Sequence, residues 1–420
     1  MSSLVIEGGV KLSGDILIPG AKNSATPILA AALLVAGQCT IHNVPTITDV
    51  EKMLNLLKSL GVEVKREGTT VVTKASNINL SNLVANDVKA MRSSILLFGP
   101  LLARCKNIRL PEPGGCIIGN RPLSAHLHGL AQMGVTYETG HDYYDLKTDG
   151  LKGARIVLPE FSVTATENLI MAAVLAKGQT VIEIAATEPH VQDLCNFLVS
   201  AGARIAGIGT HTLTIDGVAE LREVEYTIIP DPIEAGTWAV LGAVARGSLN
   251  IRPVRPEHLG LVLWHLKEIG VDFEIKGDTL TVHSSRQLKP FKKLQALPYP
   301  GFPTDLQAPF SVLATQAEGT SLIHDPLYEG RMNHISELIK MGANALIADP
   351  HRVVITGPTT LYGREINSYD LRAGATLIIA ALIAEGQSKI SGAEIIDRGY
   401  ADIENRLRAV GAKISRGTNF

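Results

Sequence analysis

The feature that most restricts this chain is that it repeats itself six times. An apolar-Gly-apolar step, Leu60-Gly61-Val62, recurs as Met133-Gly134-Val135, Ala201-Gly202-Ala203, Ile269-Gly270-Val271, Met341-Gly342-Ala343 and Val410-Gly411-Ala412, at intervals of 68–73 residues. Each glycine follows a helical pattern, such as 50–60 or 259–269, and precedes an alternating strand pattern. Glycine suits the position just past a helix end, where the backbone turns left-handed. A second landmark lies upstream. Ala36-Gly37, Lys177-Gly178, Arg246-Gly247, Glu318-Gly319 and Glu385-Gly386 each end an apolar helix and lead into a short strand, while the second unit has Arg104-Cys105-Lys106 there. Each unit therefore reads strand, helix, strand, helix, strand, strand. The period exceeds the roughly 20–50 residues of solenoid repeats, so the unit is globular.

The helices at 25–36, 169–176, 239–245 and 375–384 are apolar nearly all round. Such helices are buried. Hydrophobic residues make up 45% of the chain but aromatics only 5%, so the core must be built of Ala, Val, Ile and Leu. The fold class expected is α/β: two inside-out domains, each of three repeated units, with buried helices and outer sheets. Pro19-Gly20 and Pro230-Asp231-Pro232 are the natural crossing points. They give one domain over 22–230 and a discontinuous one over 1–21 plus 231–420. A first strand at 4–18 then supplies a strand of the last group.

A net charge of −2 argues against a general nucleic-acid binder. The first nine residues lack the basic and apolar regions of a signal peptide. The apolar runs around 27–36 and 375–384 are too short to span a bilayer. Four cysteines show neither CxxC pairing nor metal spacing. These observations predict a cytoplasmic protein with no membrane insertion, no nucleic acid and no metal.

The loop 113–122, Pro-Gly-Gly-Cys-Ile-Ile-Gly-Asn-Arg-Pro, is too rich in Gly and Pro to be helix or strand interior. It sets a thiol, Cys116, near a permanent cation, Arg121, that can grip a phosphate or carboxylate by two hydrogen bonds. The starts of the first helices in the six units carry Lys22, Arg92, Ser162 with Thr164, Asp231, Asp305 and Arg372. Helix starts offer free N–H groups and a positive dipole end. Three starts facing three others would line an inter-domain cleft with cations and a carboxylate. Asp231 reads instead as a helix cap. His126 and His128 are a poor metal pair at that helical spacing, and the other histidines show no ligand spacing either. Cys39 and Cys195 read as core, and 207–209 as a hairpin turn.

Ala21-Lys22-Asn23-Ser24, Asn43-Val44-Pro45, the Pro-Gly-Gly-Cys loop with Gly119 and Arg121-Pro122, Phe302-Pro303-Thr304-Asp305 with Gln307, Asp370-Leu371-Arg372 and Asp397-Arg398-Gly399-Tyr400 stand in one order along the chain. With these motifs it resembles the enolpyruvyl transferase family, and within it the UDP-N-acetylglucosamine enolpyruvyl transferases. The resemblance spans essentially the whole chain. It implies transfer of the enolpyruvyl group of phosphoenolpyruvate to the 3-hydroxyl of UDP-N-acetylglucosamine with release of phosphate. That is the first committed step of peptidoglycan synthesis, in the cytoplasm, with no cofactor.

The resemblance also implies residue roles. Cys116 would serve as general acid at C3 of phosphoenolpyruvate, or attack as thiolate; the residues leave both open. Asp305 would be the base for the hydroxyl or its positioning group. Lys22, Arg121 and Arg398 would clamp phosphate and carboxylate, and Asp370 and Arg372 would support closure. The sugar-nucleotide contacts map to Asn23, Arg92, Arg121, Pro122, Leu123, Ser162, Val163, Thr164, Asp305 and Leu327, with Arg331 in the same substrate-binding set. Thiol-directed epoxides such as fosfomycin would be inhibitors, their ring opened by the Cys116 thiolate. Three departures stand out: Glu112 in the approach to the loop, Ser124 where Asp is frequent, and Tyr328 for a frequent Phe. The shikimate-pathway transferases share fold and chemistry but lack the cysteine loop. A non-catalytic paralogue is expected to lose Cys116, Lys22 or Asp305. A purely structural repeat protein would have no use for Lys22, Arg121 and Arg398 at loop starts.

Overall fold

Each of the six recurring glycines ends a helix in the left-handed conformation. Their φ angles are +86° at Gly61, +87° at Gly134, +104° at Gly202, +89° at Gly270, +105° at Gly342 and +103° at Gly411. A side chain at that φ is strained, so the repeat signature is a backbone requirement. Lys106, which stands where the second unit lacks its upstream glycine, takes φ 59° itself. These angles come from a computed structural model, which describes every residue except Met1, Gly115, Cys116, Ile117, Asn120, Arg286, Asn419 and Phe420.

The chain divides into two compact units. Unit A comprises Gly20–Cys116 and Arg121–Ile229, and unit B comprises Met1–Pro19, Ile117–Asn120 and Pro230–Phe420. In unit A, Arg155–Val157 runs parallel to Gln179–Glu183, which pairs antiparallel with Thr212–Asp216 and through it with Arg204–Ala206. The first repeat copies this pattern with a borrowed strand. Val224–Thr227, from the end of the unit, runs parallel to Gln38–His42. The second repeat departs from it. Its sheet has three strands, Asn107–Pro111, Tyr143–Lys147 and Thr136–Thr139. The stretch where the parallel strand was expected is instead a series of short helical turns, from Leu80–Asn82 to Ala85–Lys89.

In unit B the expected single strand at 4–18 is two strands serving two sheets. Ser2–Glu7 lies between Gln387–Ser391 and Lys413–Thr418, and Lys11–Leu17 runs parallel to Arg246–Arg252. The break falls at Gly8, where an added Cβ would sit 2.1 Å from the Ala384 carbonyl oxygen. Only glycine lets the chain turn that close to the helix end.

The first helices of the six repeats are α1 (Lys22–Ala31), α2 (Phe98–Cys105), α3 (Val163–Ala173), α4 (Pro232–Val244), α5 (Gln307–Thr315) and α6 (Leu371–Ile383). They are inside, as their apolar faces require. Every residue of α6 from Arg372 to Leu382 is buried, as is every residue of α5. In unit B, α4, α5 and α6 pack on one another. In unit A, α2 meets α3 so closely that a Cβ on Gly99 would lie 2.2 Å from the Asn168 carbonyl oxygen. The outer strands bury alternate residues, as in Thr212–Asp216, so each sheet lays one face on the helices. Each fully buried Leu or Ile contributes about 1.5–3 kcal/mol. Among the described residues no helix is long and apolar enough to cross a membrane.

Candidate active site

In unit A three helix starts present cations and hydroxyls. Gly20 turns the chain into α1 so tightly that a Cβ there would be 1.7 Å from the Asn43 carbonyl oxygen. Lys22 opens α1, and its Nζ lies 3.2 Å from Asp49 Oδ2, with both side chains largely buried. Asn23 follows, half-buried. Arg92 opens the 3-10 turn Arg92–Leu97 that leads into α2, and its guanidinium donates to the Arg121 carbonyl oxygen. That bond joins Arg92 to the segment in which Arg121 is half-buried, Pro122 exposed and Leu123 buried. At α3, Ser162 is the N-cap, its Oγ accepting from Ala165 N at 3.4 Å. Val163 and Thr164 follow, and the first amides of a helix have no partner within it. Thr164 Oγ1 lies 3.1 Å from His126 Nε2.

The helix starts of unit B carry acids instead. Asp231 caps α4, accepting from Ile233 N and Glu234 N. Asp370 caps α6, accepting from Arg372 N and Ala373 N. Asp305 sits in the 3-10 turn Thr304–Leu306 before α5, with Arg331 Nη2 2.5 Å from one oxygen and Arg372 Nε 3.2 Å from the other. Both guanidiniums are buried. Burial disfavours the charge of Arg331, and Asp305, Asp370 and Asp325 outweigh it, so its pKa is raised. Arg372 Nη1 also donates to Tyr400 Oη at 3.3 Å, and Tyr400 meets Thr237 Oγ1 at 3.2 Å. The structure thus brings Asp305, Arg331 and Arg372 into one lattice.

Leu327 is exposed in a loop shaped by Asp325, whose carboxylate accepts from Thr304 Oγ1 at 2.5 Å and Leu327 N at 3.0 Å. Further along that loop, Gly330 N donates to Ile118 O at 2.8 Å. Gly119 lies so near Glu329 that a Cβ would be 2.5 Å from its carboxylate oxygen. Arg398 is half-buried between the short helices Ala393–Ile396 and Ile403–Ala409. The neighbouring Asp397 is held by two 2.7 Å bonds from Arg416. Cys116 lies outside the described residues. Burial pushes the thiols of Cys39 and Cys195 up to about 12, which makes both inert.

Sequence reasoning gave no role to Asp49, Asp325, Tyr400 or His126. One signal was available for the first two. Within a repeat, the stretch from the end of the central strand to the first turn of the second helix is a second recurring place. It holds Asp49 in the first unit, the 113–122 loop in the second, Asp325 through Arg331 in the fifth and Asp397-Arg398 in the sixth. Tyr400 stands in the Asp397–Tyr400 motif but its role is not local, and nothing local marks His126; the partners of both come from distant segments.

Residues 6–407 match the family model described as EPSP synthase (3-phosphoshikimate 1-carboxyvinyltransferase). The chain is 43% identical over 418 residues to UDP-N-acetylglucosamine 1-carboxyvinyltransferase 2 of Clostridium tetani, covering 99% of this chain and 100% of that protein. It is 44% identical over 424 residues to the UDP-N-acetylglucosamine 1-carboxyvinyltransferase of Koribacter versatilis, covering 99% and 96%. Among solved structures, the enolpyruvyl transferase NikO from Streptomyces tendae superposes with a TM-score of 0.91 at 27% identity, covering 100% of this chain and 99% of that one. EPSP synthase from Acinetobacter baumannii superposes at 0.76 with 19% identity over 100% of both chains, a likeness of fold. With the family matched from one end to nearly the other, and relatives this similar over their full length, the chain belongs to the enolpyruvyl transferases of the EPSP synthase family, in the branch of the UDP-N-acetylglucosamine 1-carboxyvinyltransferases.

Proposed function

We propose that this protein transfers the enolpyruvyl group of phosphoenolpyruvate to the 3-hydroxyl of UDP-N-acetylglucosamine, as the first committed step of peptidoglycan synthesis in the cytoplasm. The observation that carries the reading is 42–44% identity over 98–99% of the chain to relatives named for this activity. The sugar hydroxyl attacks C2 of phosphoenolpyruvate while C3 takes a proton. The tetrahedral ketal then loses phosphate and a C3 proton, which restores the double bond.

The residues support that chemistry. A proton must reach C3, and Cys116 is the donor assigned; most of a thiol population is protonated at neutral pH. The hydroxyl must be oriented and stripped of its proton, the role assigned to Asp305. Its two oxygens are fixed by Arg331 and Arg372. Lys22, Arg121 and Arg398 are assigned to the phosphate and carboxylate of phosphoenolpyruvate, where fixed cations offset the charge that develops. Asp49 keeps the Lys22 ammonium in place. Arg92, the α3 amides and the hydroxyls of Ser162 and Thr164 suit the diphosphate, and Pro122, Leu123 and Leu327 suit the nucleoside and sugar.

Phosphate release tests the reading. The wild type should release phosphate from phosphoenolpyruvate with UDP-N-acetylglucosamine and not with 3-phosphoshikimate. Cys116→Ser should nearly abolish release, because a hydroxyl is too weak an acid. Cys116→Asp should retain release at low pH and lose it as pH passes the carboxyl pKa. A folded Asp variant that binds the sugar nucleotide yet is dead at every pH makes Cys116 an obligatory nucleophile instead.

A further inference from the structure

The hydroxyl of Thr164 ends a chain of hydrogen bonds that fixes its polarity. The chain starts with two backbone groups. Gly99 N donates to Asn168 Oδ1 at 2.8 Å, and Asn168 Nδ2 donates to Ile95 O at 2.9 Å. An amide nitrogen cannot donate into oxygen's place without losing both bonds, so the orientation of Asn168 is determined. Its remaining Nδ2 proton points to His126 Nδ1 at 3.0 Å. That nitrogen must therefore be the acceptor, and the imidazole proton sits on Nε2. Nε2 then donates to Thr164 Oγ1 at 3.1 Å.

Asn168 is fully buried and His126 is 1% exposed, so water does not compete. Burial and the nearby Arg92 charge hold the His126 pKa down at about 3, which keeps the ring neutral and the tautomer fixed at working pH. With a lone pair of Oγ1 engaged by His126, the Thr164 hydroxyl proton has no acceptor among the described residues. It stands at the start of α3, where the first amides have no partner within the helix. We propose that His126 and Asn168 are positioning residues that commit the Thr164 hydroxyl to donate a hydrogen bond to the diphosphate of the sugar nucleotide. This rests on the function proposed above and specifies how one of its anion contacts is built.

The test is kinetic. Thr164→Val keeps the shape and removes the donor. It should raise KM for UDP-N-acetylglucosamine roughly tenfold, the worth of one hydrogen bond to a charged group, with the loss falling on KM rather than kcat. His126→Phe should do the same, because the hydroxyl is no longer committed. His126→Gln should restore a KM near wild type, since its Oε1 can accept from Asn168 and its Nε2 can donate to Thr164. In a double-mutant cycle, His126→Phe should add nothing once Thr164 is Val. A Thr164→Val KM equal to wild type overturns the proposal, as do additive effects in the cycle. Thr164 is only half-buried. If His126→Phe fails to fold, Thr164→Val and His126→Gln decide alone: a Gln variant as weak as Val leaves His126 merely structural. A wild type that releases no phosphate condemns the proposed function instead, so the two failures are distinguishable.

Discussion

His126 and His334 occupy one position of the repeat, eight residues before Gly134 and Gly342 on the second helices Ser124–Gln132 and Asn333–Lys340. Both are buried and neutral: burial holds the first down at about 3 and the second at about 4. Their tautomers are opposite. His334 Nδ1 faces the Arg331 carbonyl oxygen at 3.1 Å, so Nδ1 carries the proton and Nε2 is left as acceptor towards Ser311 Oγ at 3.0 Å. Ser311 and Gln307 beyond it are buried, and Gln307 Nε2 donates to Ser311 Oγ at 3.2 Å, so this chain of bonds ends in the core. At His126 the proton is on the other nitrogen and ends on a half-buried hydroxyl. The repeat supplies the position, and the neighbours decide whether the chain ends in core or on a half-buried hydroxyl.

The largest expected effect probes the lattice beside His334. Asp305→Ala should cut steady-state phosphate release by roughly 100- to 10,000-fold, the usual worth of a positioned acid–base group. It also leaves the buried guanidiniums of Arg331 and Arg372 without their shared carboxylate. Removing one partner of a buried pair costs about 3–5 kcal/mol, so the melting temperature should drop as well. Near-normal turnover and stability would show that the lattice is neither catalytic nor structural, and the contrast with unit A would lose one side.

The next effect tests the two histidines against each other. A His whose folded pKa lies below its unfolded value near 6.5 contributes stability that is present above pH 6.5. That stability is lost as pH falls towards the folded pKa, because only the unfolded chain takes the proton. The loss between pH 7.5 and 4.5 should be about 2–3 kcal/mol for each site. Denaturant titrations at the two pH values should show the wild type weakening, and His126→Gln and His334→Gln each weakening less by about that amount. At neutral pH the pair should part company. His126→Phe should raise KM for the sugar nucleotide, whereas His334→Phe should lower stability with KM unmoved. Equal KM effects would mean that both networks reach the ligand, or that neither does.

The repeats were legible in sequence because each ends on a glycine whose φ no other residue adopts cheaply, as at Gly61 or Gly411. The buried helices were legible from an apolar pattern without a polar face. The second repeat's missing strand was not, because a unit-wide average carried over segments such as Leu80–Asn82 that have no alternating pattern of their own. Lys22 and Asp305 were singled out by place, but their partners Asp49, Arg331 and Arg372 are set by folding. Histidine 126 was read only for metal spacing. Its role depends on the orientation of Asn168, which is fixed by backbone groups of Ile95 and Gly99, more than 60 residues away. No local pattern carries that information.

The smallest effect separates the helix caps of the two units. Asp231 accepts from two amides, at 2.8 and 3.1 Å, and fills the start of α4 with a carboxylate. Ser162 accepts from one amide at 3.4 Å and brings no charge to α3. α1 and the Arg92 turn have no side-chain cap. A carboxylate cap both consumes the donors that an anion needs and repels the anion, so the proposed function puts the diphosphate at a start such as α3. Asp231→Ala should therefore cost about 1–2 kcal/mol of stability. UDP should still raise the melting temperature of that variant as much as it raises that of the wild type. Ser162→Ala should cost only about 0.5 kcal/mol, since its one capping bond is long. Its UDP-induced rise should shrink, because ligand stabilisation falls as the dissociation constant grows. Thermal melts of both variants with and without UDP decide the matter. A Ser162→Ala variant with a large stability loss and an undiminished UDP response would make its hydroxyl an ordinary cap and move the diphosphate away from α3.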